Sequence, residues 1–163
     1  MRRALAIVLS LALCLGGLSG CGPGQVRAQP LSAQPVVLTQ EDLAAHAQET
    51  PAVQSALAGF GLELLQKTRG AEKSPVLLSP LSVALALGMA ANGSGGETRA
   101  QFEQVLGSGA GLDAVNAAYA ALLRSYGELG GSTECSIANS VWADLEGQIF
   151  EEFIGKCQGI FDA

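Results

Sequence analysis

Between Pro80 and Gly93 the chain holds a helix-length run with no polar face. Leu81, Val83, Ala84, Leu85, Leu87, Met89, Ala90 and Ala91 place apolar groups all round the helical wheel. Such a helix belongs in the middle of a large core, covered on every side. No other feature of the chain restricts its fold as much. The boundaries of this helix carry their own signals. Ser79 is suited to accept from a backbone N–H as N-cap, and Pro80 fits the first helical position, where no N–H is needed. Asn92 to Gly96 reads as a turn. Upstream, Val76-Leu77-Leu78 is a brief apolar run after Pro75 that suits a buried strand. Downstream, Ser94 with Glu97, or Thr98 with Gln101, can form a capping box. Phe102, Val105 and Leu106 then make a one-sided stripe, with Gly107 as its stop.

The remaining elements follow from periodicity. Thr39-Gln-Glu-Asp42 is suited to cap a short helix reaching His46. Thr50-Pro51 opens a longer one, with Val53, Leu57, Phe60 and Leu64 at helical spacing, Leu65 widening the stripe and Gly70 ending it. Gly59 and Gly61 each weaken that helix by about 1 kcal/mol relative to Ala. Asp113 opens another, with Leu112, Val115, Tyr119, Leu122, Leu123 and Tyr126 on one face. After Gly130-Gly131, the order Ile137, Asn139, Val141 against Ala138, Ser140, Trp142 alternates as in a strand. Phe150, Phe153, Ile154, Cys157 and Phe161 return to helical spacing.

The first residues carry a different message. Arg2 and Arg3 precede an apolar stretch from Ala4 to Leu15, followed by small residues. That is an export signal, too short for a settled membrane span. It ends in Leu18-Ser19-Gly20-Cys21, which resembles a bacterial lipobox, so Cys21 is the expected lipid attachment residue. The alternative is a plain secretory signal that happens to contain a cysteine. Gly22 to about Gln40 is rich in Pro, Gly, Ser, Gln and Ala without apolar periodicity, as expected of a tether. The expected organisation is therefore a signal over 1–20, a flexible tether over 21–40 and a folded part over 41–163. The protein is expected to be exported and lipid-anchored at the cell envelope, outside the cytoplasm.

Composition excludes several functions. The chain has 15 acidic and 9 basic residues and a formal net charge of −6. Two of the basic residues lie in the signal, so the remainder is more acidic still. An acidic chain without a basic patch is a poor partner for nucleic acid. His46 is the single histidine and has no catalytic constellation around it. One His and two scattered Cys make no metal site, and no cofactor is implied. Gly93, Gly95 and Gly96 follow a helix and lack the Lys-Ser/Thr ending of a phosphate loop. Glu151-Glu152 reads as a solvated helix face. No enzyme is indicated. Cys135 reads as an incidental thiol and Cys157 as a small core residue, with a bridge between them as the alternative.

Taken in order, the strand-SPLS-helix segment, the NGSGGETRAQFEQVLG turn and helix, Phe60–Thr68, Ile137–Trp142 and Phe150-x-x-Phe153-x-x-x-Cys157 resemble the opening of the serpin fold over roughly residues 51–163. The resemblance implies an α+β class: an N-terminal helical subdomain with several helices and short strands of an incomplete β-sheet. The chain is expected to be truncated before most of the central sheet and the reactive loop. It also implies roles for polar residues. The serines matching the family's SPxS motif, Ser79 and Ser82, would line the shutter beneath the central sheet, with Asn139 in a structural role nearby. Serpins mostly inhibit serine or cysteine proteases by offering a reactive loop as bait and inserting it into the sheet after cleavage. The expected partners are thus a target protease, for a full-length parent only, and a membrane through Cys21. The chain alone is expected to be non-inhibitory. A small helical surface lipoprotein acting as an interaction module is the other reading.

Overall fold

The structure is a computed structural model that describes residues 29–69, 75–130, 135–144 and 147–163. Six helices make up the regular structure among them: α1 Gln40–Ala45, α2 Thr50–Arg69, α3 Pro80–Asn92, α4 Gly96–Gly107, α5 Leu112–Gly127 and α6 Glu151–Phe161. All belong to the unit Ser32–Ala163.

The expected α+β class is not what forms. No described residue is in a strand. The two expected strands are present as non-helical segments whose burial still alternates. Val76 and Leu78 are half-buried while Pro75, Leu77 and Ser79 are exposed; Cys135, Ile137 and Asn139 are half-buried while Ser136, Ala138 and Ser140 are exposed. The expected alternation holds over 135–140 and breaks at Val141, which is exposed, while the first run, expected to be buried, is covered only at alternate residues. What is missing is a strand partner: a ladder needs a second strand about 4.8 Å away, and no described residue pairs with either run in a ladder. The outward residues stand in water, with Leu77 100% and Trp142 76% exposed.

α5 packs against each of the other five helices, and from Ala114 to Ala120 every residue is buried. This central place was expected for α3. Alanines 114, 117, 118 and 120 explain the exchange, because short side chains let neighbouring helices approach on faces that carry no large apolar stripe. The core joins Val53 of α2, Leu85 and Met89 of α3, Leu106 of α4, Val115 and Tyr119 of α5, and Cys157, Ile160 and Phe161 of α6.

Local signals decide where the helices begin and end. Thr39 and Asp42 form a reciprocal capping box: the Thr39 N–H donates to Asp42 Oδ2 at 2.7 Å and the Asp42 N–H to Thr39 Oγ1 at 3.2 Å. The Thr39 N–H and the Thr39 hydroxyl both donate to Asp42 Oδ2 and hold that carboxyl below its usual range. α4 begins differently from expectation. Its N-cap is Gly95, without a side-chain bond. The Ser94 hydroxyl turns back to donate to Ala91 O at 2.7 Å, and Arg99 donates to Ser94 O. Nor does Gly107 stop α4. It is the last helical residue, where a Cβ would lie 2.8 Å from Val115 Cγ2, and Ser108 (φ 53°) provides the left-handed cap. Phe150, expected on the apolar stripe, precedes α6 as its N-cap and is 84% exposed. Asn92 belongs to α3 and not to the turn that follows it. Gly70, the expected stop of α2, lies outside the described residues.

Candidate functional site

The residues singled out from the sequence spread along α3 instead of meeting at one point. At its N-terminus Ser79 has extended backbone (φ −108°, ψ 93°), and its Oγ accepts from the Ser82 N–H at 3.4 Å. The two hydroxyls lie 2.8 Å apart in a hydrogen bond in which either atom can donate. This end of the helix is seated by Gly61 of α2, where an added Cβ would come within 2.9 Å of Pro80 Cβ. Both serines are exposed.

Ser82 opens a stripe that the sequence reading did not expect. With Ala86 and Ala90 it recurs every four residues, and all three are exposed, flanked by half-buried Val83 and Leu87. The opposite face, Ala84, Leu85, Gly88 and Met89, is buried. α3 is packed against α2, α4, α5 and α6, so it is covered on most sides but not on all. The expectation of complete burial is corrected accordingly. The uncovered side carries only small groups, so leaving it wet sacrifices little apolar area.

Asn139 sits elsewhere. Its Nδ2 donates to Phe161 O at 2.6 Å, tying the 135–144 segment to the C-terminal end of α6. The Phe161 ring is fully buried. Its edge fills the space above Gly88, where a Cβ would lie 2.8 Å from Phe161 Cε1. It meets Tyr119 edge-on, with centroids 6.5 Å apart and an interplanar angle of 88°. Asn139 and the serine pair are thus linked through α3 and Phe161, with no direct bond between them among the described residues.

Two polar features escaped sequence reasoning. Asn92 and Asn116, both buried, exchange side-chain bonds of 2.8 and 2.9 Å, and Asn92 Nδ2 also donates to Gly88 O at 2.9 Å. The pair joins the C-terminal end of α3 to α5. The only available signal was the polar Asn116 amid the small apolar residues that surround it, and its partner lies 24 positions away. The second feature is Tyr119, whose buried hydroxyl has no hydrogen-bond partner among the described residues. Burial pushes its pKa up to about 12, since the phenolate would be poorly solvated there.

Other candidates are dispersed. His46 is half-buried and lines a cavity of about 330 Å³ with Glu49, Arg99, Glu103, Asp113 and Lys156. Arg99 and Glu103 are engaged in helix-end bonds, to Ser94 O and from the Leu112 N–H at 3.1 Å. Glu152, on the face read as solvated, pairs with Lys156 at 2.9 Å. No three metal-ligating side chains gather among the described residues. Cys135 and Cys157 are both free, and burial raises the Cys157 thiol. Cys21 and residues 1–20 lie outside the described residues.

A family model described as Serpin (serine protease inhibitor) matches residues 55–163. No curated protein and no solved structure matches the chain.

Proposed function

The chain belongs to the serpin family, and on that premise we propose that it forms the helical base of a loop-inserting inhibitor of serine or cysteine proteases. The observation that carries this reading is the open side of α3, together with two strand-like segments that lack partners. The Ser82–Ala86–Ala90 stripe is the kind of smooth, small-residue surface over which a sheet can lie closely. The alternating burial of 75–79 and 135–140 is the pattern of a strand with one covered face, and it suits pairing with further strands. Ser79 and Ser82 fit a shutter role, because their paired hydroxyls face outward on the open side and are able to exchange partners with a strand above them. Asn139 fits a structural one, holding the second segment against Phe161.

In such an inhibitor the target's nucleophile attacks a bond in the reactive loop. The loop's new C-terminal acyl group stays on the enzyme as an ester or thioester, and the loop then enters the sheet as an added strand. New ladder bonds and buried alternate side chains drive that step. This chain contributes the floor under the sheet, not the bait. It is non-inhibitory alone, and it is exported and held at the cell envelope by a lipid on Cys21. The tether belongs to the same reading only for the residues before Ser32, where the compact unit begins; its expected end at residue 40 is corrected, because Val36 and Leu38 are hydrogen-bonded to α6 and α5.

Two assays test it. A target protease incubated with excess 163-residue chain is expected to keep its activity and to form no SDS-stable complex; such a complex would refute the non-inhibitory reading. Radiolabelled palmitate is expected to enter the wild-type chain in a bacterial host and not Cys21→Ser; equal labelling of both refutes the anchor. A small helical surface module is the second reading, favoured by the fully buried Tyr119, Phe161 and Leu85, which give the six helices a closed core of their own. It predicts a specific protein partner that is lost on placing a charge at Ala86.

A further inference from the structure

α6 carries Gly155 and Gly159 four residues apart, on one side of the helix. In an 11-residue helix two such glycines are a cost, since Gly loses more backbone freedom on ordering than Ala does. Both are seats for another stretch of backbone. A Cβ on Gly155 would collide with the Gln34 carbonyl oxygen and lie 3.3 Å from Val36 Cγ2; a Cβ on Gly159 would collide with the Val36 carbonyl and lie 2.7 Å from its nitrogen. The same segment is bonded in place. The Val36 N–H donates to Gly155 O at 2.8 Å, the Arg124 guanidinium of α5 donates to Leu38 O, and the Leu38 side chain packs on the core.

We propose that Gly155 and Gly159 form a docking track for a peptide backbone, and that its occupant is this chain's own Gln34–Leu38. The segment acts as a strap that clamps α6 to α5. It is part of the folded unit although it precedes the family-matched residues 55–163. The track recognises main chain: the nearest contact at each glycine is to a backbone carbonyl oxygen, and the bond at Gly155 is between two peptide groups. Its ligand class is therefore a non-helical peptide with a free N–H at the central position. Side-chain specificity enters only at Val36 and at Leu38. Because α6 ends in Phe161, whose carbonyl binds Asn139 and whose ring fills the space above Gly88, release of the strap loosens the attachment of the 135–144 segment as well.

Gly159→Ala in the full chain tests this through the sign of its effect. Ala is the better helix former, so on an unobstructed helix face the substitution raises Tm. The strap account expects Tm to fall, and the Val36 amide to lose hydrogen-exchange protection roughly tenfold or more while α5 amides keep theirs. A raised Tm with unchanged exchange at Val36 overturns the proposal. Val36→Pro approaches from the other side by removing the N–H and leaving α6 untouched. It is expected to lower Tm, and in its background Gly159→Ala becomes neutral or stabilising because nothing lies over the glycine. Should Gly159→Ala fail to fold, Val36→Pro decides alone, and a wild-type Tm for it overturns the docking.

Discussion

At the residue scale, Tyr119 makes the sharpest demand on its surroundings. Its hydroxyl is buried without a partner among the described residues, so removing the oxygen removes a desolvation cost and no bond to them. Tyr119→Phe is expected to be neutral or stabilising near pH 7, as read by urea denaturation. The pH dependence has a defined sign. The folded-state pKa is raised from 10 to about 12, so this contribution to stability is complete below the unfolded value of about 10 and is lost as pH rises through the folded one. The stability difference between the wild type and Tyr119→Phe should therefore widen above pH 10, in favour of the variant; a constant difference up to pH 12 would show the hydroxyl to be solvated. Ser79 gives a simpler case. It caps α3 and is exposed, so Ser79→Ala should cost about 1 kcal/mol. Ser82→Ala should cost less, because water replaces its bond. Ser79 and Pro80 were legible as a helix start because capping chemistry is local. Asn92 and Asn116 were not, since nothing local says that two amides 24 residues apart will meet in the core.

At the scale of elements, α3 is held against α5 and α6 by one polar and one apolar lock. The polar lock is the Asn92–Asn116 pair. Asn116→Ala leaves a buried amide short of partners and should destabilise by about 1–3 kcal/mol. In a double-mutant cycle with Asn92→Ala the pair should show a coupling of about 0.5–3 kcal/mol by chemical denaturation, whereas additive losses would mean that the two amides act separately. The apolar lock is Gly88 under Phe161. Gly88→Ala gains helix propensity yet forces a methyl to within 2.8 Å of a fully buried ring. It should lower stability by about 1–3 kcal/mol, since the ring has no free space to move into. Gly107→Ala should cost a similar amount, because the methyl it meets at 2.8 Å belongs to Val115, a fully buried β-branched side chain held in one χ1 rotamer by its helix. Helices α2 to α6 were all legible from apolar spacing. Their ends were less so: Gly95 and Ser108 bound α4 where side-chain capping and Gly107 were expected, because the Ser94 hydroxyl found the Ala91 carbonyl first. The central place of α5 was also hidden, since alanines leave little trace in a hydrophobic pattern and show their value only when neighbours close on them.

At the scale of the molecule, the family-model match shows the family, and the fold departs from the class expected of it. Residues 55–163 carry the serpin pattern, and the described residues form helices alone. The helical outcome follows from one physical fact. A helix satisfies its backbone within itself, whereas a strand depends on another strand. A stretch of helices with two solitary strand sequences therefore builds the helices and leaves the strands as alternating, half-covered segments. On α3 the stripe Ser82–Ala86–Ala90 is likewise exposed. Hydrogen exchange of the 163-residue chain tests this account most directly. The amides of Leu77 and of Ser136 to Trp142 should exchange within about tenfold of unprotected rates, while those of Ala114 to Ala120 in α5 are strongly protected. Alternate-residue protection in either segment, the signature of a paired ladder, would contradict the account.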